Sequence, residues 1–194
     1  SNGAIVWDDN SESTKSLPYI GGVAGYVTDG SFEGNINTGA LAINESMLDL
    51  DWGGVIGASK VSVVGCENKG SLTINEEITK ANIGGVLGNL EANSITDCEN
   101  SGKLYFGEAF KINKNCNIGG VVAYAERGTK EIKGCTNSGS IDYLGSCHYV
   151  ARDNVGASCT GTGSSHASHP KGSAVVENAN MVLGGVVGFT WSEL

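Results

Sequence analysis

Three pairs of carboxylates stand out first: Asp8-Asp9, Asp49 with Asp51, and Glu76-Glu77. Closely spaced carboxylate oxygens are what a calcium ion takes as ligands. The same residues would also make a solvated, aggregation-resistant edge. A second group sits in one polar stretch: Cys147, Cys159, His148, His166 and His169. Cys/His sets bind zinc, but this spacing fits no finger or ribbon, so the stretch reads as an exposed polar loop. Cys147–Cys159 is the leading disulfide candidate, with Cys116–Cys147 as the alternative. The chain contains no His-Glu-x-x-His, no Gly-x-Ser-x-Gly and no phosphate loop. Arg127 and Arg152 are its only arginines, a poor supply for a polysaccharide-processing site that needs carboxylates and a base in one groove. The reading is therefore non-enzymatic, with no cofactor beyond possible calcium.

The elements that must carry these residues are repeated. "IGGVAG" (20–25), "WGGVIG" (52–57), "IGGVLG" (83–88), "IGGVVA" (118–123) and "LGGVVG" (183–188) are one phrase, and its first glycines are Gly21, Gly53, Gly84, Gly119 and Gly184. The steps are 32, 31, 35 and 65 residues, so a worn copy is sought in the last, and "VGASCTG" (155–161) aligns there. A second phrase follows: "GNINTGALAI" (34–43), "GCENKGSLTI" (65–74), "DCENSGKLYF" (97–106) and "GCTNSGSIDY" (134–143). It ends in period-two alternation, Leu41/Ile43, Leu72/Ile74, Leu104/Phe106 and Ile141/Tyr143, the mark of a half-buried strand. No segment has a helical period.

Three short strands per repeat of about 31 residues describe a single all-β domain over 1–194, a parallel β-solenoid with coils stacked at roughly 4.8 Å. The expected coils are 3–43, 44–74, 75–106, 107–143, a degenerate 144–176 and a partial 177–194, five to six in all, wound right-handed by the crossover rule. The glycine phrase is read along one strand, its glycines admitting a neighbouring backbone or taking a bend that a Cβ would forbid. Asn37, Asn68, Asn100 and Asn137 would stack as an amide ladder. Gly39, Gly70, Gly102 and Gly139 are expected to supply positive φ in the Asn-x-Gly turn. Cys66, Cys98 and Cys135 would stack as buried free thiols. The carboxylate pairs fall in the connectors along one edge, where repeat proteins usually bind.

The double-glycine phrase followed by Cys-x-Asn-x-Gly-x-(Leu/Ile) resembles the GLUG motif repeat, from Gly3 to Phe189. It departs at Val155–Pro170, and has Val23, Val55, Val86, Val121 and Val186 where that family usually has Leu. The resemblance implies an exported bacterial surface protein, adhesin-like, and carries over no catalytic residue. The expected location is extracellular or on the cell surface, and the expected partner a glycan or a host-surface protein. The alternatives are a β-helix polysaccharide-processing enzyme and a structural spacer of a longer repeat protein with further domains. Net charge −9, from 21 acidic against 12 basic residues, leaves no basic stripe for nucleic acid. No apolar run reaches the roughly 20 residues of a membrane-spanning helix.

Overall fold

The computed structural model describes residues 5–7, 18–112, 114–144 and 180–190. They form a parallel β-solenoid, and among them there is no helix, hence none long and apolar enough to cross a membrane. Each coil contributes to four sheets rather than three.

The first sheet stacks Tyr19–Gly21, Met47–Gly53, Glu77–Gly84, Asn115–Gly119 and Asn180–Gly184. The second stacks Ala24–Val27, Ile56–Ser59, Leu87–Thr96, Val122–Lys133 and Val187–Thr190. Val63–Val64 and Phe32–Glu33 extend it beside the far end of Leu87–Thr96. The third, two residues wide, stacks Ile36–Asn37, Glu67–Asn68, Glu99–Asn100 and Thr136–Asn137. The fourth stacks Ile5–Trp7, Leu41–Ile43, Leu72–Ile74, Leu104–Phe106 and Ile141–Tyr143. Register is kept from rung to rung, apart from shifts between Leu90 and Ser94 in the second sheet, so equivalent repeat positions lie in columns.

The glycine phrase is not one strand. A strand of the first sheet ends at Gly84, and one of the second begins at Leu87. Gly85-Val86 is the corner between them. Val55, Val86 and Val121 are fully buried there. A Cβ on Gly85 would overlap the carbonyl oxygen of Gly120 and the side chain of Asn100, and the same holds for Gly54 against Gly85 and Asn68. The corner therefore needs glycine because backbone and amide ladder press on it from two sides.

That contact divides the interior. Ile20, Leu41, Ile43, Leu50, Trp52 and Ile83 belong to a core between the first and fourth sheets. Phe32, Val55, Val63, Val86, Leu87 and Cys98 belong to a second core under the second sheet. Between the two lies the asparagine column. Asn37 Nδ2 donates to Asn68 Oδ1 (2.9 Å), Asn68 to Asn100 (2.8 Å) and Asn100 to Asn137 (2.8 Å). Asn37, Asn68 and Asn100 are wholly buried.

The glycines of the Asn-x-Gly turn do not take positive φ. A Cβ on Gly70 or Gly102 would instead overlap the carbonyl oxygen of the glycine one coil earlier. Positive φ falls on the residue before the cysteine position: Gly34 (64°), Gly65 (58°), Asp97 (54°) and Gly134 (62°). That residue turns the chain from the second sheet into the third. Aspartate is among the few side chains that tolerate this region.

The coil count is lower than expected from the sequence. Asn115–Gly119 pairs directly with Asn180–Gly184, from Asn115↔Asn180 to Gly119↔Gly184. Val122 likewise pairs with Val187. No rung of the first two sheets lies between them, and the degenerate copy lies outside the described residues. Residues 155–161 lack the double glycine and the valine, the groups that seat a corner on an amide column.

Candidate functional site

The first and second sheets leave the glycine corner and fold back against each other. Leu50 and Trp52 face the first core, so Asp49 and Asp51 face the opposite way. Leu87 and Leu90 both face the second core, leaving Gly88 and Asn89 turned toward the first sheet. A Cβ on Gly88 would stand 2.6 Å from Trp52 N, so the two backbones are nearly in contact. The result is a narrow slit outside both cores.

Its walls are two columns. Tyr19, Asp51, Asn82, Asn117 and Val182 are in register on the first sheet. Tyr26, Ala58, Asn89, Tyr124 and Phe189 are in register on the second. At the lowest rung Tyr19 and Tyr26 stack at 4.6 Å between ring centroids. One rung up, Asp51 is 3% exposed and faces only the small Ala58. It accepts hydrogen bonds from Asn82 Nδ2 (2.6 Å) and, diagonally, Asn89 Nδ2 (3.2 Å). Asn117 Nδ2 donates to Asn82 Oδ1 (2.8 Å), completing a second polar ladder.

At the mouth, Tyr26 Oη donates to Glu91 Oε2 (2.9 Å), and Lys60 Nζ lies 3.5 Å from the same oxygen and 5.7 Å from the Tyr26 ring centre. Across the slit Lys80 Nζ is 3.9 Å from Asp49. Ionisation is perturbed through the cluster. Burial, then the charges of Asp51 and Glu91, raises Tyr19 above its usual value. Hydrogen bonding to Tyr26, then the charges of Tyr26 and Glu91, raises Lys60. Burial raises Asp51 above the usual carboxylate range, against the amide bonds of Asn82 and Asn89.

The Asp51 shift has a testable consequence. A carboxyl whose folded pKa is raised binds more protons folded than unfolded between the two values. Stability is then greatest in acid and falls as pH rises from about 3.8 through the raised value. Asp51→Asn removes that loss. A flip of the Asn89 amide turns its Oδ1, buried and without a partner, toward the new amide as acceptor, in place of the Nδ2 that donated to Asp51. Thermal melts should place the variant above the parent at pH 7 and level with it at pH 3. A variant less stable than the parent at pH 7 would mean that the carboxylate itself is needed.

The expected acidic edge is only partly assembled. Asp51 lies inside the slit rather than on an edge. Asp49 stands level with Lys80, whereas Glu77 is level with Lys111, some three residues away along the strand. No group of three or more potential metal-ligating side chains occurs among the described residues. Asp8, Asp9, Cys147, Cys159 and the three histidines lie outside the described residues. Cys66, Cys98 and Cys135 are free thiols in one column, with Cys66 N donating to Cys98 Sγ (3.3 Å). Hydrogen bonds with Cys135 and Cys66, together with burial, raise the Cys98 thiol. Cys116 is a free thiol in the first core, raised by burial. The sequence reading overlooked Tyr19, Tyr26, Lys60, Asn82, Asn89 and Glu91. The available signal was the position two before each double glycine, polar or aromatic in Tyr19, Asp51, Asn82 and Asn117. Comparison with family models, with curated proteins and with solved structures finds no match to this chain.

Proposed function

We propose that the protein is a non-enzymatic repeat module of an exported bacterial surface protein, a rigid solenoid that presents a ligand-binding face to a glycan or host-surface partner. The observation that carries this reading is the use made of the reactive side chains. Asp51 and the thiols of Cys66 and Cys98, the groups best suited to chemistry, are committed to columns that hold coil to coil. The resemblance to the GLUG repeat supports the surface location.

One observation favours a second reading, a polysaccharide-processing enzyme. Lys60 and Glu91 place a basic residue beside a carboxylate at the slit mouth, the pairing that the two arginines supply poorly. The two readings separate in one experiment, incubation with a panel of polysaccharides. Binding with no new reducing ends and no unsaturated products is the expected result. Either product would establish the enzyme instead.

A further inference from the structure

We propose that the sulfurs of Cys98 and Cys135 form a linear, two-coordinate site for a soft monovalent metal ion, copper(I). The site is separate from the slit and does not depend on the glycan or host-surface reading.

The three thiols of the cysteine column share one orientation. Cys66, Cys98 and Cys135 each stand one residue before a rung of the third sheet, and those rungs are in register, Glu67↔Glu99 and Glu99↔Thr136. Each sulfur lies between two carbonyl oxygens, one two residues back in its own coil and one in the coil below. For Cys66 these are Val64 O (3.5 Å) and Phe32 O (3.9 Å). For Cys98 they are Thr96 O (3.3 Å) and Val63 O (3.8 Å), and for Cys135 Lys133 O (3.5 Å) and Ile95 O (3.8 Å). Side chains in one orientation on in-register strands repeat at the strand spacing, which puts neighbouring sulfurs roughly 4.8 Å apart.

That distance selects the chemistry. A disulfide needs sulfurs at about 2.05 Å and Cβ atoms at about 3.5–4.5 Å, so thiols stacked in a fixed register do not close one. Tetrahedral zinc takes four donors, and among the described residues no three ligating side chains gather. A thiolate–metal–thiolate bridge needs only two. Zinc–thiolate bonds are about 2.3 Å, and copper(I), with the same d10 shell, makes bonds of similar length. Two in line span about 4.6 Å, close to the spacing of the stack. Thiolate is also the ligand type that favours copper(I).

The upper pair is the one that can be loaded. Cys66 and Cys98 are 1% and 0% exposed, whereas Cys135 is half-buried, so an ion enters at Cys135 and stops between it and Cys98. Binding releases both thiol protons to solvent and leaves the bridge with one negative charge. The backbone N–H of Cys66, which donates to Cys98 Sγ (3.3 Å), stabilises that charge. The bridge ties one coil to the next, so the loaded protein should melt at a higher temperature than the metal-free one.

The test is anaerobic titration of the whole chain with copper(I), in competition with a chromophoric copper(I) chelator. Cys147 and Cys159 are first replaced by Ser, which leaves the column and the isolated Cys116 as the remaining thiols. One copper(I) should bind per chain, and X-ray absorption should find two sulfur neighbours and no nitrogen. Cys98→Ala and Cys135→Ala should each weaken binding at least about a hundredfold, beyond the roughly 10–100-fold loss that follows removal of an outer-shell partner. Cys66→Ala should leave the affinity unchanged, because the N–H it contributes belongs to the backbone. Far-ultraviolet circular dichroism of the metal-free variants checks that each is folded. Should Cys98→Ala not fold, Cys135→Ala, at the half-buried position, carries the test alone. No binding by the parent, three or more sulfur neighbours, or equal binding by the parent and Cys135→Ala would overturn the proposal. A Cys66→Ala variant as impaired as Cys135→Ala would overturn the assignment to the upper pair.

Discussion

Gly85→Ala should destabilise the protein by at least about 4 kcal/mol, the exceptional end of single-substitution effects, whereas Gly185→Ala should stay within about 0.5 kcal/mol, as at a surface site. The two glycines hold the same position in the repeat, and only their neighbours differ. A Cβ on Gly85 would overlap both Gly120 O and Asn100 Cγ. Neither can retreat, since Gly120 is itself stacked under Gly185 O, and Asn100 is bonded to the amides of Asn68 and Asn137. Gly185 has nothing within 4 Å of where its Cβ would be. Among the described residues the third sheet has four rungs, and their asparagines face the corners at Gly22, Gly54, Gly85 and Gly120. Denaturant melts of both variants against the parent make the comparison. Equal effects at the two sites would mean that the double glycine serves the local turn and not the stack.

Asn100→Ala should cost about 3 kcal/mol, since each buried partner left unsatisfied costs roughly 1–3 kcal/mol. Asn100 Nδ2 donates to Gly102 O (2.9 Å) as well as to Asn137, and its Oδ1 accepts from Asn68. Truncation therefore strands the buried Asn68 amide and the Gly102 turn carbonyl, and takes a partner from the half-buried Asn137. The exposed Ser62 serves as control, and its replacement by Ala should stay within about 0.5 kcal/mol. In a solenoid a central rung takes part in two interfaces, so the loss spreads both ways along the stack. An Asn100→Ala variant as stable as Ser62→Ala would remove the amide column from the account.

The columns were legible in the sequence because they rest on strict repetition. Leu72/Ile74 with Leu104/Phe106, and Asn68 with Asn100, recur at one spacing and stack as that spacing implies. The split of the glycine phrase into two strands was not legible. Alternation through Ile83, Gly85 and Leu87 is equally consistent with one straight strand, and only contact with Asn100 from a distant part of the coil fixes the corner. The direct stacking of Asn180–Gly184 on Asn115–Gly119 escaped for a related reason, since chain length between rungs does not constrain which rungs pair. Asp51 was misplaced because its neighbour Asp49 made an attractive pair. Leu50 and Trp52 on either side of it were the better guide, as they set the strand's alternation one residue group earlier than the connector was taken to end. The Tyr19, Tyr26, Lys60 and Glu91 cluster draws on three coils, so no local spacing announces it.

The in-register stack with its interior amide column is tested most directly by side-chain amide resonances of the asparagines in a nuclear Overhauser spectrum. The amide protons of Asn37, Asn68 and Asn100 are each expected to be slow to exchange with solvent, and to show contacts running from Asn37 to Asn68, from Asn68 to Asn100 and from Asn100 to Asn137. Rapid exchange of these protons, or contacts that skip or reorder the four residues, would contradict the stacking register on which the two cores, the glycine corner and the slit all depend.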